Sequence, residues 1–212
     1  MNAREEILRR IDGIVPSRPP AEVAAAYDRI DRGYLRRHHE GGHHGEGVLG
    51  LFAERVADYR ATVLRVSAAE VAPVLADRLA ARPGAYGVPS DLPPEWTSAT
   101  DAPLVRDFST ASLDGLAGAV TGCAAAIAET GTIVLDHGAA QGPRALSLVP
   151  DYHLIVVLAG QVAPDVPEAL GLLDPRRPLT FVSGPSATSD IELSRVEGVH
   201  GPRTLEVLVV HE

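Results

Sequence analysis

The stretch Gly184-Pro185-Ser186-Ala187-Thr188-Ser189-Asp190-Ile191-Glu192 is followed by a second polar stretch, Glu197-Gly198-Val199-His200-Gly201-Pro202-Arg203. Apolar runs flank the whole region, at residues 179–182 and 205–210. Both runs contain β-branched residues and are bounded by turn residues, which predicts two short strands. A hydrophobic core needs apolar residues, so the polar and turn-rich region between these strands indicates a functional site.

Composition limits the classes of protein to which this chain can belong. Its 212 residues fit one domain with a small appendage, and a hydrophobic fraction of 45% is ample for a core. The net charge of −9 argues against non-specific binding to nucleic acid or to anionic membranes. The single cysteine, Cys123, excludes an intramolecular disulfide and any cysteine cluster for zinc or iron–sulfur within this chain. No signal-peptide core and no long apolar run is present, so we expect a reduced, cytoplasmic protein.

The first 45 residues are predicted to form a helical arm with a histidine-rich loop. Residues 4–14 place apolar side chains at helical spacing, a proline-rich linker follows, and residues 22–35 are rich in alanine. An α/β domain is then expected over residues 46–212. The arm could pack on its own domain or dock on a neighbour.

The end of the arm holds four histidines and two glutamates within residues 38–46. Imidazole and carboxylate groups suit zinc or nickel, but a metal site needs ligands held in fixed geometry. Three glycines in the same segment oppose such rigidity. We therefore predict a mobile loop and no metal site, with metal binding as the alternative for His38, His39, His43 and His44.

Strands and helices alternate along the rest of the chain. The patterns predict helices at residues 48–59, 68–81, 113–120, 143–149 and 164–173, and strands at 62–66, 85–88, 124–128, 132–135 and 152–158. This order is typical of a three-layer α/β sandwich with a mainly parallel sheet. Ligands of such sheets lie outside the carboxyl ends of the strands, where we expect Glu129–Thr130, Gly184–Ser186 and Asp136–Gly138.

Glu129 is a candidate site residue because apolar residues precede and follow it. A buried glutamate needs a raised pKa, an arginine partner or backbone donors, since an unpaired buried charge is costly. The alternative is a structural, hydrogen-bonded glutamate that closes the turn Glu129-Thr130-Gly131-Thr132.

Three sets of residues resemble motifs of the lactate-utilisation protein C family, which has the LUD domain. They are Ala128 to Thr132, then Gly-Pro-Ser-x-Thr-x-Asp-Ile-Glu at residues 184–192, then Gly-Val-His-Gly-Pro-Arg at residues 198–203. The resemblance extends from about Phe52 to Val210, and the last quarter carries its most specific part. The amphipathic N-terminal helix also fits the family, whereas the histidine-rich loop matches no motif of it.

The resemblance implies a fold like that of ribose-5-phosphate isomerase, glucosamine-6-phosphate deaminase and the CoA transferases. It also implies two partner subunits with iron–sulfur clusters and cysteine-rich motifs, with which this chain would oxidise L-lactate to pyruvate. The chain itself would carry no cofactor, and it contains no strand–GxGxxG–helix fingerprint for a dinucleotide. The electron acceptor would therefore belong to the partners.

Residue chemistry suggests roles within such a system. Glu129 and His200 are candidates for acid–base catalysis. An anion could bind to backbone amides after Gly184 at a helix N-terminus, and Arg203 could hold a substrate carboxylate in a two-pronged hydrogen bond. The complete set proposed to bind substrate or anion is Thr130, Gly131, Thr132, Gly184, Ser186, Thr188, Asp190, Glu192 and Arg203.

Each role has a structural alternative. Asp190 and Glu192 could flank a helix that begins near Thr188, and His200 could simply hydrogen-bond its loop. Arg203 could pair with Asp190 or Glu192. At the level of the whole chain, the alternatives to a ligand-binding subunit are a non-catalytic assembly subunit and a stand-alone enzyme that acts on phosphosugars or CoA esters.

Overall fold

The computed structural model describes residues 2–15, 18–38, 46–188, 196–197 and 200–211. Contacts divide the chain into two units, Met1–Leu35 and Arg36–Glu212. The first unit contains helices α1 (Ala3–Asp12) and α2 (Pro20–Asp28). Asn2 caps α1, since its side chain accepts a hydrogen bond from the Glu5 amide while the Glu5 carboxylate accepts one from the Asn2 amide.

The second unit contains the remaining helices and all strands of the described chain. Its helices are α3 (Glu46–Asp58), α4 (Val71–Ala80), α5 (Thr110–Leu113) and α6 (Val166–Gly171). Its strands are β1 (Thr62–Ser67), β2 (Tyr86–Gly87), β3 (Leu104–Val105), β4 (Gly118–Thr121), β5 (Ala125–Ile127), β6 (Thr132–Leu135), β7 (Tyr152–Leu158), β8 (Val162–Ala163), β9 (Thr180–Val182), β10 (Ala187–Thr188), β11 (Val196–Glu197) and β12 (Thr204–His211).

A six-stranded sheet in the order β1-β12-β7-β4-β2-β3 forms the centre of this unit, and each neighbouring pair is parallel. Its central strands β7 and β12 are buried along nearly their whole length. Continuous apolar strands are typical of parallel sheets that are covered on both faces. The expected α/β sandwich with a mainly parallel sheet is confirmed.

The two faces of β12 belong to two different layers. Leu205, Val207 and Val209 pack with α3 and with a second sheet, whereas Leu208 and Val210 pack with α4. Successive side chains of a strand point to opposite faces, so one strand contributes to both cores. The second sheet has the order β8-β5-β6-β9 and is mixed, because β6 runs antiparallel to both of its neighbours.

A buried carboxylate interrupts the apolar pattern of β12 on the α4 side. Glu206 is 1% exposed, and its two oxygens accept hydrogen bonds from Arg78 at 2.7 and 2.8 Å and from Arg82 at 3.2 Å. Burial alone would raise the pKa of Glu206, but the hydrogen bonds from Arg78 and the two positive charges lower it below its usual value. This ion cluster attaches the C-terminal end of α4 to the central strand.

The helix predicted at residues 113–120 is wrong. Helix α5 ends at Leu113, and Gly118–Thr121 is the buried strand β4, which lies between β2 and β7. Alanine and leucine in this segment favour a helix locally, but burial between two strands overrides so weak a preference. Gly118 suits the strand because an added Cβ would lie 2.5 Å from the ring of Tyr152.

The other predicted helices and strands are present with shifted ends. Residues 144–147 form a 3₁₀ turn where a short helix was predicted, and a 3₁₀ turn at 68–70 precedes α4. Ser67 and Glu70 form a capping pair at the start of this turn, since the Glu70 carboxylate accepts a hydrogen bond of 2.8 Å from the Ser67 amide. Every helix among the described residues is too short or too polar to cross a membrane.

Candidate functional site

The two halves of the polar motif region, around Gly184 and around His200, meet near the end of β9. Gly184 follows this strand with a φ of +81°, and an added Cβ would lie 2.5 Å from the Cβ of Tyr59. Only glycine combines that backbone conformation with such a close approach. The turn then brings Ser186 to the start of β12, where the Ser186 amide donates to the Pro202 carbonyl at 2.8 Å. The His200 amide donates in turn to the Ser186 hydroxyl at 3.1 Å.

These two segments form the rim of a cleft, which we call the β9 cleft. Its volume is about 230 Å³. It is lined by Ser147, Leu148, His153, Thr180, Phe181, Val182, Ser183, Gly184, Pro185, Ser186, His200, Gly201 and Pro202. Pockets for drug-sized ligands are usually about 300–1,000 Å³, so this cleft suits a small metabolite.

A second and more polar cleft of about 560 Å³ lies beside the first and shares Leu148, His200 and Gly201 with it. Its charged lining residues are Asp114, Arg144, Asp151 and Arg203. The Arg203 guanidinium donates to the Asp151 carboxylate at 2.7 Å, and both side chains are largely exposed. The predicted partners Asp190 and Glu192 lie outside the described residues, so the proposed pairing of Arg203 with them stays a prediction.

His153 is a residue of the β9 cleft that the sequence analysis missed. It belongs to β7, is 1% exposed, and its Nε2 lies 2.8 Å from the Thr121 hydroxyl. Burial lowers the pKa of His153 from 6.5 to about 4, so the ring is neutral at physiological pH. The only available signal was a histidine within an otherwise apolar strand, and such a residue is ambiguous without knowledge of what it faces.

Glu129 lies at a contact between the turn after β5 and the chain before α3. Its carboxylate lies 2.9 Å from Nδ1 of His38, and its side chain is 31% exposed. The expectation of a buried glutamate was therefore wrong, because the turn that follows β5 reaches the surface. Glu129 is not among the described residues that line the β9 cleft.

The rest of the Glu129 turn does meet the segment around Gly184. The Thr130 hydroxyl donates to the Thr132 hydroxyl at 2.8 Å. The Thr132 hydroxyl in turn lies 2.8 Å from the hydroxyl of Ser183. Gly131 has a φ of +59° and packs against Arg55 at the end of α3. Hydroxyl contacts thus connect this turn to Ser183, which lines the cleft.

The cleft lies at a different edge of the large sheet from the expected one. Gly201 and Pro202 precede β12, and Asp151 precedes β7, so both clefts open at the amino ends of these parallel strands. The Asp136–Gly138 segment lies at the other end of β9, where His137 Nε2 is 3.0 Å from the Thr180 hydroxyl. The three expected segments follow β5, β6 and β9, which belong to the second sheet and not to the large one.

The proposed helix N-terminus after Gly184 is also corrected. Ala187–Thr188 is a strand that pairs in antiparallel fashion with Val196–Glu197. The backbone of Thr188 therefore belongs to a two-stranded ribbon, and a helix does not begin there. His39, His43 and His44 lie outside the described residues, as do Asp190 and Glu192. Within the described part of the chain, no cluster of three or more His, Cys, Asp or Glu side chains has the arrangement of a metal site.

Comparison with known proteins gives a consistent result. The model of the LUD domain matches residues 95–210, which include every residue that lines the β9 cleft. "Lactate utilization protein C" of Deinococcus radiodurans is 47% identical over 170 residues, which cover 77% of this chain and 79% of that protein. "Lactate utilization protein C 1" of Bacillus mycoides is 36% identical over 92 residues, which cover 39% of each chain.

A solved structure supports the same relationship. The crystal structure of a DUF162 family protein from Deinococcus radiodurans superposes with a TM-score of 0.66 and 42% sequence identity. The superposition covers 77% of this chain and 96% of that one. The matched domain, the relatives and the shared fold show that this chain belongs to the LUD domain family.

Proposed function

We propose that this chain is a subunit of a bacterial L-lactate utilisation system, located in the cytoplasm, that binds a small carboxylate in the β9 cleft. The observation that carries this proposal is the 47% identity to a protein named lactate utilization protein C over 79% of its length. The matched residues include the whole lining of the cleft, from Ser147 to Pro202. A cleft of about 230 Å³ is smaller than the usual range of about 300–1,000 Å³ for drug-sized ligands, which suits an acid of the size of lactate or pyruvate.

The chemistry of the two clefts supports a carboxylate ligand. Arg144 lines the polar cleft, and no ion-pair partner for it is found among the described residues. Together with Arg203 it offers guanidinium groups near the shared residue His200, and guanidinium groups bind carboxylates in two-pronged hydrogen bonds. His200 is the candidate proton-transfer group that touches both clefts.

The oxidation itself is assigned to partner subunits that carry iron–sulfur clusters. Iron–sulfur ligation uses cysteine thiolates, and the one thiol of this chain, Cys123, is buried. Burial raises the pKa of Cys123 to about 12, which disfavours the thiolate. This chain then supplies binding and orientation, and the partners supply the electron acceptor.

Deletion of the gene in the native host tests the pathway. We expect growth to fail on L-lactate and to continue on pyruvate, because only the oxidation step is removed. Growth is expected to return with the wild-type gene. Equal growth of the deletion strain on both carbon sources would refute the proposed role in lactate utilisation.

Glu129 can be tested in the same strain. The substitution Glu129→Gln keeps the shape of the side chain and removes its charge, so it should abolish the activity of the complex if this carboxylate takes part in proton transfer. Retained growth on L-lactate would assign Glu129 to the structural contact with His38 alone.

The exposed apolar face of α1 favours a second role, in assembly. Ile7, Leu8 and Ile11 of this helix are each about half exposed, and Ile14 just beyond it is 82% exposed. Isolated apolar side chains on a surface are common, but a stripe of this kind on one helix is typical of a protein contact. Deletion of residues 1–20 should then abolish co-purification with the iron-containing partner subunits, and retained assembly would refute this role.

A further inference from the structure

The floor of the β9 cleft holds a polar group that no contact within the described protein explains. His153 is 1% exposed, and its Nε2 is occupied by the Thr121 hydroxyl at 2.8 Å. Its other ring nitrogen, Nδ1, has no hydrogen-bond partner among the residues that the structure describes. Nδ1 is not among the buried side-chain atoms that lack a hydrogen-bond partner, and His153 lines the cleft. This nitrogen is therefore reached from the cleft.

The ring is buried, but Nδ1 reaches the cleft that His153 lines. A polar atom in such a place takes its hydrogen bond from the contents of the cleft, water or ligand, because an unsatisfied polar group costs free energy. The open Nδ1 at the floor of a small cleft is therefore expected to bond to whatever occupies that cleft.

The charge state of the ring restricts the part of the ligand that it contacts. Burial keeps the imidazole neutral, so it adds no positive charge for a carboxylate. A neutral imidazole has one donor and one acceptor nitrogen, which suit an uncharged hydroxyl or carbonyl oxygen. A ring with so low a pKa is also a weak base, which argues for a role in binding and against proton abstraction.

Thr121 allows the ring to serve either type of oxygen. If the Thr121 hydroxyl accepts from Nε2–H, Nδ1 is an acceptor and can bind a ligand hydroxyl. If the same hydroxyl donates to Nε2, Nδ1 carries the proton and can bind a ligand carbonyl. Because a hydroxyl can rotate between these roles, one site can accommodate the alcohol and the ketone of the same carbon skeleton.

We propose that His153, held by Thr121, is a ligand-binding residue whose Nδ1 contacts the C2 oxygen of a 2-hydroxy or 2-oxo acid in the β9 cleft. This inference rests on the proposed function, since it names the contact that the small carboxylate makes there. The carboxylate of the ligand then lies towards His200 and the polar cleft, where the guanidinium groups are found. His153 thus separates acids with an oxygen at C2 from acids without one.

The test is a titration of the full-length protein with L-lactate, pyruvate and propionate, followed by calorimetry. Wild type should bind L-lactate and pyruvate, and propionate should bind about tenfold more weakly, because it leaves Nδ1 unsatisfied. His153→Gln keeps a polar group at the position of Nε2 near Thr121 but removes Nδ1. Its affinity for L-lactate should therefore be about tenfold lower than that of wild type. His153→Asn keeps a polar group at the position of Nδ1 and should bind lactate more tightly than the Gln variant. Circular dichroism must show that both variants are folded.

The outcomes separate the two proposals. If wild type binds lactate and pyruvate but His153→Gln binds them equally well, the role of His153 is refuted while the carboxylate site remains. Equal affinity of wild type for propionate and lactate also refutes it. If wild type binds none of the three acids, the proposed carboxylate site fails and His153 has no such ligand. In ¹⁵N-histidine-labelled protein, the Nδ1 resonance of His153 should shift in opposite directions with lactate and pyruvate, since the two ligands select different tautomers.

Discussion

Acidification from pH 7 to pH 5 is expected to destabilise this protein through His153. Burial lowers the pKa of this residue from 6.5 to about 4 in the folded state. Between these two values the unfolded chain binds a proton at His153 that the folded protein does not bind, so the free energy of unfolding falls as the pH falls. The stability that depends on a neutral His153 is fully present above pH 6.5. It is lost progressively as the pH falls from 6.5 to about 4.

The magnitude follows from the width of this window. A pKa difference of about 2.5 pH units corresponds to about 3 kcal/mol over the whole range, and about 2 kcal/mol of this is lost between pH 7 and pH 5. For a domain of about 150–250 residues, this loss lowers Tm by roughly 4–8 °C. The measurement stops at pH 5 because carboxylates with lowered pKa values, such as Glu206, begin to contribute at lower pH.

Thermal melts followed by circular dichroism at pH 7, 6 and 5 provide the assay. The Tm of the wild-type protein should fall along this series. Between pH 7 and pH 5 the free energy of unfolding of His153→Gln should fall by about 2 kcal/mol less than that of wild type, because the amide does not titrate. The exposed His200 offers the matched control, since His200→Gln removes a histidine that folding does not bury. An equal loss of Tm in wild type and His153→Gln would show that His153 is not held neutral in the fold.

Two further predictions concern stability. Gly184→Ala should lower the free energy of unfolding by about 2 kcal/mol or more, because its φ of +81° and the contact with Tyr59 leave no room for a Cβ. The control in urea unfolding is Gly160→Ala, where an added Cβ meets nothing within 4 Å. Equal unfolding midpoints of the two variants would contradict this prediction. Glu206→Gln should lower the free energy of unfolding by about 2 kcal/mol, because it removes charge-assisted hydrogen bonds to a carboxylate that is 1% exposed, while the guanidinium groups of Arg78 and Arg82 keep contact with water. Arg176→Gln, at an exposed ion pair, should leave the unfolding midpoint in urea nearly unchanged. Equal losses in the two variants would show that the Glu206 cluster contributes no more than a surface ion pair.

Much of the large sheet could be predicted from local patterns. The apolar runs of β7 and β12 identify buried strands by composition alone, because a strand covered on both faces has no polar side. The segment Gly118–Thr121 shows the limit of this approach. Its small residues are compatible with a helix or a strand, and only its insertion between β2 and β7 decides the outcome.

The candidate site shows a similar division. The motif residues pointed to the end of β9 and the start of β12, and the structure joins them there through Ser186, His200 and Pro202. The roles of Glu129, His200 and the other motif residues stay predictions. His153 could not be found in the same way, because a histidine in an apolar strand becomes informative only when the cleft beside it is known.

The sequence by itself determined the α/β class, the buried central strands, the absence of a cysteine cluster and the position of the polar motif, since each depends on residue type and short-range spacing. The tertiary structure decided which side chains meet. His38 pairs with Glu129 across 91 residues, Arg203 with Asp151 across 52, and Thr121 with His153 across 32. It also decided the edge of the sheet at which the cleft opens. Such contacts depend on strand order and direction, which arise from burial of the whole chain and leave no local periodicity to read.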